Sequence, residues 1–274
     1  MEDFLMKTGL KSKHVVITGA SSGIGFDSIS FFLAEGANVT ASYHSDPRDM
    51  AALTESYPEQ LNIVKVDVRH ESEVAFLFTE ANAVFGRVDI AVANAGIASH
   101  EEVPAHEMSI EQWQNTIAVN LTGVFLCAKH FFANLKTYPG ADASLVLVGS
   151  TAGEIGEAGH CDYSTSKAGL RGLLMTLKNE IIHLSIRGRV NLVNPGWTIT
   201  PMAEEALSNK ATRSKIMQTI PLRKVATPSD ITHAILYLSS DKLAGHVSGQ
   251  TITVAGGMDG RVLFSRNEIE EYMK

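Results

Sequence analysis

The stretch His14-Val15-Val16-Ile17-Thr18-Gly19-Ala20-Ser21-Ser22-Gly23-Ile24-Gly25 decides how the rest of this chain is read. Its first half is a short run of β-branched apolar residues, the pattern of a strand buried on both faces. Its second half is a glycine turn, and an apolar helical pattern follows through Glu35. Strand, glycine turn and helix in that order build a phosphate site. Glycines let the backbone approach a pyrophosphate, and the helix N-terminus points free N–H groups at it. The spacing is Gly-x-x-x-Gly-x-Gly, not the Gly-x-Gly-x-x-Gly of the general dinucleotide fingerprint, and a plain strand-to-helix turn is the competing reading. Gly19, Ser21, Ser22, Gly23, Ile24 and Gly25 are the residues expected to hold a dinucleotide.

Outward from this stretch the pattern repeats. Residues 38–43 read as a second strand and residues 61–67 as a third. Residues 72–85 read as a helix closed by Gly86 as a C-cap. Residues 88–94 form a fourth strand running into a turn at Asn94-Ala95-Gly96. Ser109 and Gln112 have capping-box spacing and should open a long helix through about Lys136. Asn120 falls inside that helix. Asn is a poor helix former, so its reason is either a harmless surface position or a place where the helix bends or holds a water near a site. Residues 144–149 and 190–194 are strands five and six, with a helix to about Leu184 between them. Thr227-Pro228-Ser229-Asp230 opens another helix, with Pro at its first position. Residues 249–254 are strand seven. The tail from Arg261 is polar and acidic and is expected to be loosely held. Phe31-Phe32 and Phe131-Phe132 sit at helical positions and read as core or subunit interface.

Strands alternating with helices predict one α/β domain over residues 1–274, with its core at about 10–260. It should be a Rossmann-type, doubly wound, seven-stranded parallel sheet with helices on both faces. Residues 197–215 should form a mobile helical segment covering a substrate. There is no internal repeat, low-complexity stretch or linker.

Composition bounds the function. The net charge of −7 repels phosphate backbones, which argues against a nucleic-acid partner. Two cysteines, Cys127 and Cys161, point to free thiols in a reducing compartment. Acidic residues stand where a secretory signal needs a basic region. No uninterrupted apolar run approaches about 18 residues, so no membrane helix is expected. The setting predicted from these features is cytoplasmic. His44, His100, His106, His130, His160, His183 and His233 show no paired metal spacing, so no metal site is expected.

The second decisive stretch is Tyr163-Ser164-Thr165-Ser166-Lys167. Positions four apart share a helix face, so the phenol and the ammonium project together. A fixed cation beside a phenol lowers its pKa from about 10, giving a proton donor and acceptor nearer neutral pH. Ser150 follows strand five, on the carboxyl edge where open α/β sheets bind ligands. Tyr-x-x-x-Lys alone is most often one solvated helix face, so its weight depends on its companions.

At the end of strand two, an acid would bond the 2′-hydroxyl of NAD and repel the 2′-phosphate of NADP. Tyr43, His44 and Ser45 stand there instead, which tilts the reading toward NADP(H) over NAD(H). Arg48 is near enough to pair with a phosphate or to cap the next helix, and Asp46 cuts the other way. Asp67, with Val68, either accepts a bond from the adenine amino group or simply ends its strand.

Taken together, the chain resembles the short-chain dehydrogenase/reductase family over about residues 10–260. Thr18-Gly19-Ala20-Ser21-Ser22-Gly23-Ile24-Gly25 matches its glycine motif. Asn94-Ala95-Gly96 matches its Asn-Asn-Ala-Gly, with Ala93 in place of the first Asn. Asn120, Ser150, Tyr163 and Lys167 match its catalytic positions, and Pro195-Gly196 the motif after strand six. The resemblance implies an oxidoreductase interconverting a secondary alcohol and a ketone with NAD(P)(H). In it Tyr163 is the general acid and base, Lys167 lowers the Tyr163 pKa and holds the nicotinamide ribose, Ser150 holds the substrate oxygen, and Asn120 holds a water that relays protons. It further implies that Asn94, Ala95, Gly96, Pro195, Gly196, Thr198 and Thr200 contact the cofactor. A homotetramer packed through residues 110–136 and 163–184 is also implied. Ala93 removes a usual brace between the central strands, and Ala255 replaces an acid at a usual subunit contact. Glu154, His160 and Trp197 are the candidate substrate contacts, each with a solvent-facing or lid role as the alternative. A non-catalytic dinucleotide-binding regulator would be expected to lack the Tyr or Lys. An isomerase or dehydratase would be expected to carry a larger C-terminal region.

Overall fold

The computed structural model describes residues 7–99 and 101–272. The reading of the first six residues and of His100 falls outside that range. Its elements run β1 His14–Ile17, α1 Gly23–Ala34, β2 Asn38–Tyr43, α2 Met50–Ser56, β3 Leu61–Lys65, α3 Glu71–Phe85 and β4 Ile90–Ala93. There follow α4 Ile110–Ile117, α5 Gly123–Thr137, β5 Asp142–Val148, α6 Ala152–Ile155, α7 Cys161–Glu180 and β6 Arg187–Pro195. The chain continues with α8 Glu204–Ser208, α9 Lys210–Met217, α10 Pro228–Ser239, α11 Asp241–Ala244, β7 Thr251–Val254 and α12 Arg266–Tyr272.

Among the described residues seven strands form one sheet in the order β3-β2-β1-β4-β5-β6-β7, every neighbouring pair parallel. The order reverses between β1 and β4. That switch point opens a crevice at the carboxyl edge, and it is where the glycine turn falls. Side chains alternate across each strand. Val16 and Leu145 therefore join a core on the face of α3, α5 and α7, while Val15 and Val146 join a core on the face of α1 and α10. Phe32 and Phe131 are fully buried in these two cores, each fully buried side chain contributing about 1.5–3 kcal/mol.

Local signals behave as their chemistry requires. Gly86 ends α3 at φ +73°, and a Cβ there would touch nothing, so conformation and not space selects glycine. Thr227 and Asp230 close a full capping box on α10. At α4 only half the box forms. Ser109 accepts the Gln112 N–H, but the Gln112 side chain reaches Asp162 at 3.3 Å instead.

Three expectations need correction. The long helix is not regular: residues 118–122 form a wider turn, in which Gly123 N–H bonds the Ala118 carbonyl five residues back. The span Ile110–Thr137 is long and apolar enough to cross a membrane by composition, although the sequence suggested no such helix. More than half of its apolar window is buried in the protein, as in a core helix. The tail is not loosely held. Ile269 of α12 is fully buried with Met217, Val225, Trp197, Leu207 and Phe264, and Arg223 lies 4.2 Å over the Phe264 ring.

Candidate active site

A cleft of about 890 Å³ runs along the carboxyl edge of the sheet. Its first half is built from the glycine turn. Gly19 sits at φ +65°, and a Cβ on it would lie 2.6 Å from the Ala95 Cα. A Cβ on Gly25 would lie 2.5 Å from the Gly19 carbonyl oxygen. These contacts press turn, helix and β4 together. Gly25 therefore lies beneath the cleft, while Gly19, Ser21, Ser22, Gly23 and Ile24 line it. α1 begins at Ser22 with no side-chain cap and no acid in its first turn, so its N-terminal partial positive charge faces the cleft uncompensated.

Asn94, Ala95 and Gly96 form the opposite wall. The Thr18 hydroxyl accepts the N–H groups of Asn94 and Ala95, each at 3.1 Å. Asn94 Nδ2 donates to the carbonyls of Thr18 and Gly19 at 3.0 and 2.9 Å. This one side chain braces β1 against β4. Ala93 beside it is simply buried.

Tyr43, His44, Asp67 and Val68 line the far end. Ser45 does not: it is exposed past the strand end, outside the cleft. Arg48 is likewise outside the lining, its backbone N–H turned to the Asp46 carboxylate. Arg69 was not anticipated. Its guanidinium forks onto Asp67, with Nη2 at 2.6 Å, and reaches Asn115 at 2.9 Å. That bond holds the Asp67 carboxyl at about 2, well below the usual range, so it is ionised at neutral pH. His44 stands 3.4 Å from the same carboxylate. The Asp-x-Arg spacing just after β3 was the available signal.

The centre of the cleft is set by α7. Asp162, buried at its first turn, accepts from Thr116 at 2.7 Å and fixes α7 against α4. Tyr163 and Lys167 then face the cleft, with Lys167 Nζ 5.8 Å from the Tyr163 ring centroid. Lys167 is 5% exposed and donates to the Val148 carbonyl at 3.0 Å. Burial pushes its pKa from 10.5 down to about 8. The phenol does not shift as the spacing suggested. Burial raises the Tyr163 pKa, the Ser150 hydroxyl bonded to it pulls the other way, and the charge of Glu157 adds to the rise. Desolvation of a charged form outweighs its neighbours here.

Asn120 is fully buried in the widened turn. Its Oδ1 accepts the Ile97 N–H at 2.8 Å, and its Nδ2 donates to the Ile97 carbonyl at 2.8 Å and to Ser166 Oγ at 3.1 Å. The side chain is thus committed to structure, and widened turns of this kind recur at functional sites. Gly96 lies between them, since its Cβ would be 3.3 Å from both Asn120 Oδ1 and Lys167 Nζ.

The remaining predicted residues divide. Pro195, Gly196, Thr198 and Thr200 line the cleft, as do Ser150, His160 and Trp197. Glu154 does not. It turns away to accept from Asn194 at 2.8 Å and Thr253 at 3.0 Å, tying α6 to β6 and β7. In a one-turn helix the direction of a side chain follows from what lies beside it, which spacing does not give. Sequence reading also missed Ile155, Glu157, Met202 and Met258 in the lining. Both cysteines are free. Among the described residues no group of three or more His, Cys, Asp or Glu is arranged to hold a metal ion.

The chain matches a family model described as enoyl-(acyl carrier protein) reductase over residues 19–259. It is 39% identical to 3β-hydroxysteroid dehydrogenase 1 of Eggerthella lenta, covering 92% of this chain and 96% of that protein. It is 33% identical to cis-4-hydroxycyclohexanecarboxylate dehydrogenase of Sinomonas cyclohexanicum, covering 92% and 98%. Among solved structures, a short-chain dehydrogenase/reductase from Brucella melitensis, titled glucose/ribitol dehydrogenase, superposes with a TM-score of 0.82 at 32% identity, covering 92% and 98%.

Proposed function

This chain belongs to the short-chain dehydrogenase/reductase family and is an oxidoreductase of CH–OH groups using NAD(P), and from that premise we propose that it interconverts a secondary alcohol and its ketone with Tyr163 as general acid and base. The observation that carries this reading is the buried Lys167 ammonium beneath Tyr163, with Ser150 bonded to the phenol and all three facing one cleft. The other half of that cleft fits a dinucleotide. Backbone amides and the Ser21 and Ser22 hydroxyls form its donor set, with no carboxylate in the first helical turn.

Gly19, Ser21, Ser22, Gly23 and Ile24 would hold the pyrophosphate, Tyr43, His44, Asp67 and Val68 the adenosine, and Asn94, Ala95, Gly96, Pro195, Gly196, Thr198 and Thr200 the nicotinamide side. When bound, the nicotinamide supplies hydride to a ketone carbon or takes it from an alcohol carbon. Ser150 orients the substrate oxygen. Tyr163 gives its proton to that oxygen in reduction and takes it back in oxidation. Lys167 offsets the charge of the phenolate, whose formation burial makes costly. Asn120 acts as a positioning residue, holding residue 97 and α7 in register around Lys167. The bland face of the cleft at the end of β2, with His44 and no acid, supports NADP(H) over NAD(H), although Asp67 lies close by. Exposed Phe125 on α5 and Met175 on α7 support packing of these helices in a homotetramer. The two free cysteines support a cytoplasmic setting.

Tyr163→Phe tests the mechanism. Turnover is expected to fall about 10²–10⁴-fold while dinucleotide binding, followed by nicotinamide fluorescence with NADPH and NADH separately, is retained. Wild-type turnover in that variant would remove Tyr163 from the chemistry. Tighter NADH than NADPH binding would reverse the cofactor reading.

A further inference from the structure

The half of the cleft beyond Tyr163 has a chemical character of its own. Its apolar walls come from four separate segments: Ile155 after β5, Trp197 after β6, Met202 and Ala206 in the covering segment with Ile216 just past it, and Met258 after β7; His160, Asn209 and Thr212 are among the polar side chains of the same stretches. Ile155 and Met202 are each 43% exposed, so two large apolar side chains meet solvent on the inside of one cleft. An apolar wall left open in this way gains free energy when an apolar ligand displaces its water.

The mouth carries the opposite information. The stretch at residues 101–103 is pinned to the loop at residues 156–160 by the Val103 N–H on the Gly159 carbonyl at 2.8 Å. Glu102 and Glu157 both line the cleft there; burial raises the Glu157 pKa, His160 pulls the other way, and the Glu102 charge adds to the rise. Among the described lining residues the lysines and arginines are Arg69, Lys167 and Lys215. Arg69 is committed to Asp67 and Asn115, and Lys167 is buried on the Val148 carbonyl. Lys215 alone remains on the substrate side. A phosphate-bearing substrate needs guanidinium or ammonium partners, and this lining sets one ammonium, Lys215, against the carboxylates of Glu102 and Glu157. A polyol would set part of its hydroxyl surface against Ile155, Met202 and Met258, with few uncharged polar side chains, His160, Asn209 and Thr212 among them, in the same stretches to replace the lost water.

We propose that the substrate is a bulky, uncharged, predominantly apolar secondary alcohol or ketone, and that Glu102 and Glu157 turn away acyl thioesters carried on a phosphopantetheine or coenzyme A. The proposal rests on the alcohol–ketone reading of the site and adds the class of molecule that enters it. The conversion is the two-electron one given above: the ketone carbon gains the hydride, its oxygen gains the Tyr163 proton, and the phenolate is reprotonated from solvent.

The test compares trans-2-decalone, cyclohexanone and acetoacetyl-coenzyme A as substrates of the intact protein with its preferred reduced cofactor. Decalone should exceed cyclohexanone in kcat/KM by about tenfold or more, because its second ring buries added methylenes on the apolar wall. It should also exceed acetoacetyl-coenzyme A. Ile155→Asn should shrink the decalone-to-cyclohexanone ratio. Glu102→Lys should raise the acetoacetyl-coenzyme A-to-decalone ratio several-fold. Calorimetry of decalone into protein loaded with oxidised cofactor, where no turnover occurs, should give a negative heat-capacity change. A higher kcat/KM for acetoacetyl-coenzyme A than for decalone, or no gain from the second ring, overturns this proposal and leaves the alcohol–ketone reading standing. Reduction of none of the three ketones by protein that binds cofactor overturns both.

Discussion

The half of the cleft proposed for the dinucleotide is made mostly of backbone, and the half proposed for the substrate mostly of side chains. In the first, Gly19 and Gly25 bring main chain within contact of main chain, and one asparagine, Asn94, ties two strands together. In the second, four segments distant in sequence each lend one to three apolar side chains, and α12 holds the covering segment from behind. A backbone-built site tolerates almost no substitution at its contacts. A side-chain-built site can change its ligand without changing the fold. The two halves should therefore respond to mutation in different currencies: binding of the dinucleotide for one, substrate KM for the other.

Gly25→Ala probes the first half. Its Cβ would stand 2.5 Å from the Gly19 carbonyl oxygen and 2.6 Å from Asn94 Nδ2. Overpacking of this kind costs roughly 1–3 kcal/mol, and dinucleotide affinity should fall at least tenfold. Unchanged affinity by fluorescence titration would mean that the turn yields more easily than its contacts suggest.

Lys167→Met probes the boundary between the halves. Burial lowers the Lys167 pKa from 10.5 to about 8. Between those values the unfolded chain binds more protons than the folded one, so wild-type stability rises with pH across that window. At pH 7 the buried charge costs up to roughly 3 kcal/mol. The Met variant should lose turnover yet unfold at higher denaturant than wild type at pH 7, and that advantage should shrink by pH 11. Equal stability of the two proteins at pH 7 would show the charge to be better solvated than its 5% exposure implies.

Ile269→Ala probes the second half from outside it. Removing this fully buried side chain should loosen the tail by about 2 kcal/mol. Limited proteolysis should then cut near residue 265, and substrate KM should rise while dinucleotide affinity stays within about twofold. A parallel loss of dinucleotide binding would break the division drawn here.

Glu157→Gln gives the smallest effect and the sharpest assignment. The Glu157 charge raises the Tyr163 pKa. Without it the phenol deprotonates more readily, so the pH at which alcohol oxidation switches on should move down. A pH profile of kcat/KM that stays put would detach Glu157 from the proton donor.

The difference between the halves also explains what could be read in advance. The glycine turn, Tyr163, Lys167, Ser150 and the succession of seven strands along the chain are all legible, because each depends on residues adjacent in sequence or on a fixed helical period. Asn120 was flagged as an anomaly within a helix, and the widened turn at residues 118–122 is its setting. Glu154 reads from sequence as a candidate substrate contact, but Asn194 and Thr253 draw it away. Ser45 was counted with the cleft because it follows Tyr43, yet the chain turns outward there. β6 runs from Arg187, longer than its apolar run predicts, because Arg189 can be buried once its guanidinium donates to the Leu238 and Ser239 carbonyls. The tail reads as polar, and its buried anchor, Ile269, is invisible until Met217 and Val225 are brought beside it.

The sequence by itself determined a parallel sheet with a glycine turn at its switch point and a Tyr–Lys pair on one helix face. Strand periodicity, glycine at close approaches and helical spacing are local constraints, written in neighbouring residues. Only the tertiary structure decided the direction of the Tyr163 shift, the partner of Asp67 and the character of the substrate wall. Those depend on burial and on side chains that meet across the fold from distant positions, and desolvation is a property of the folded surroundings that no single stretch of sequence carries.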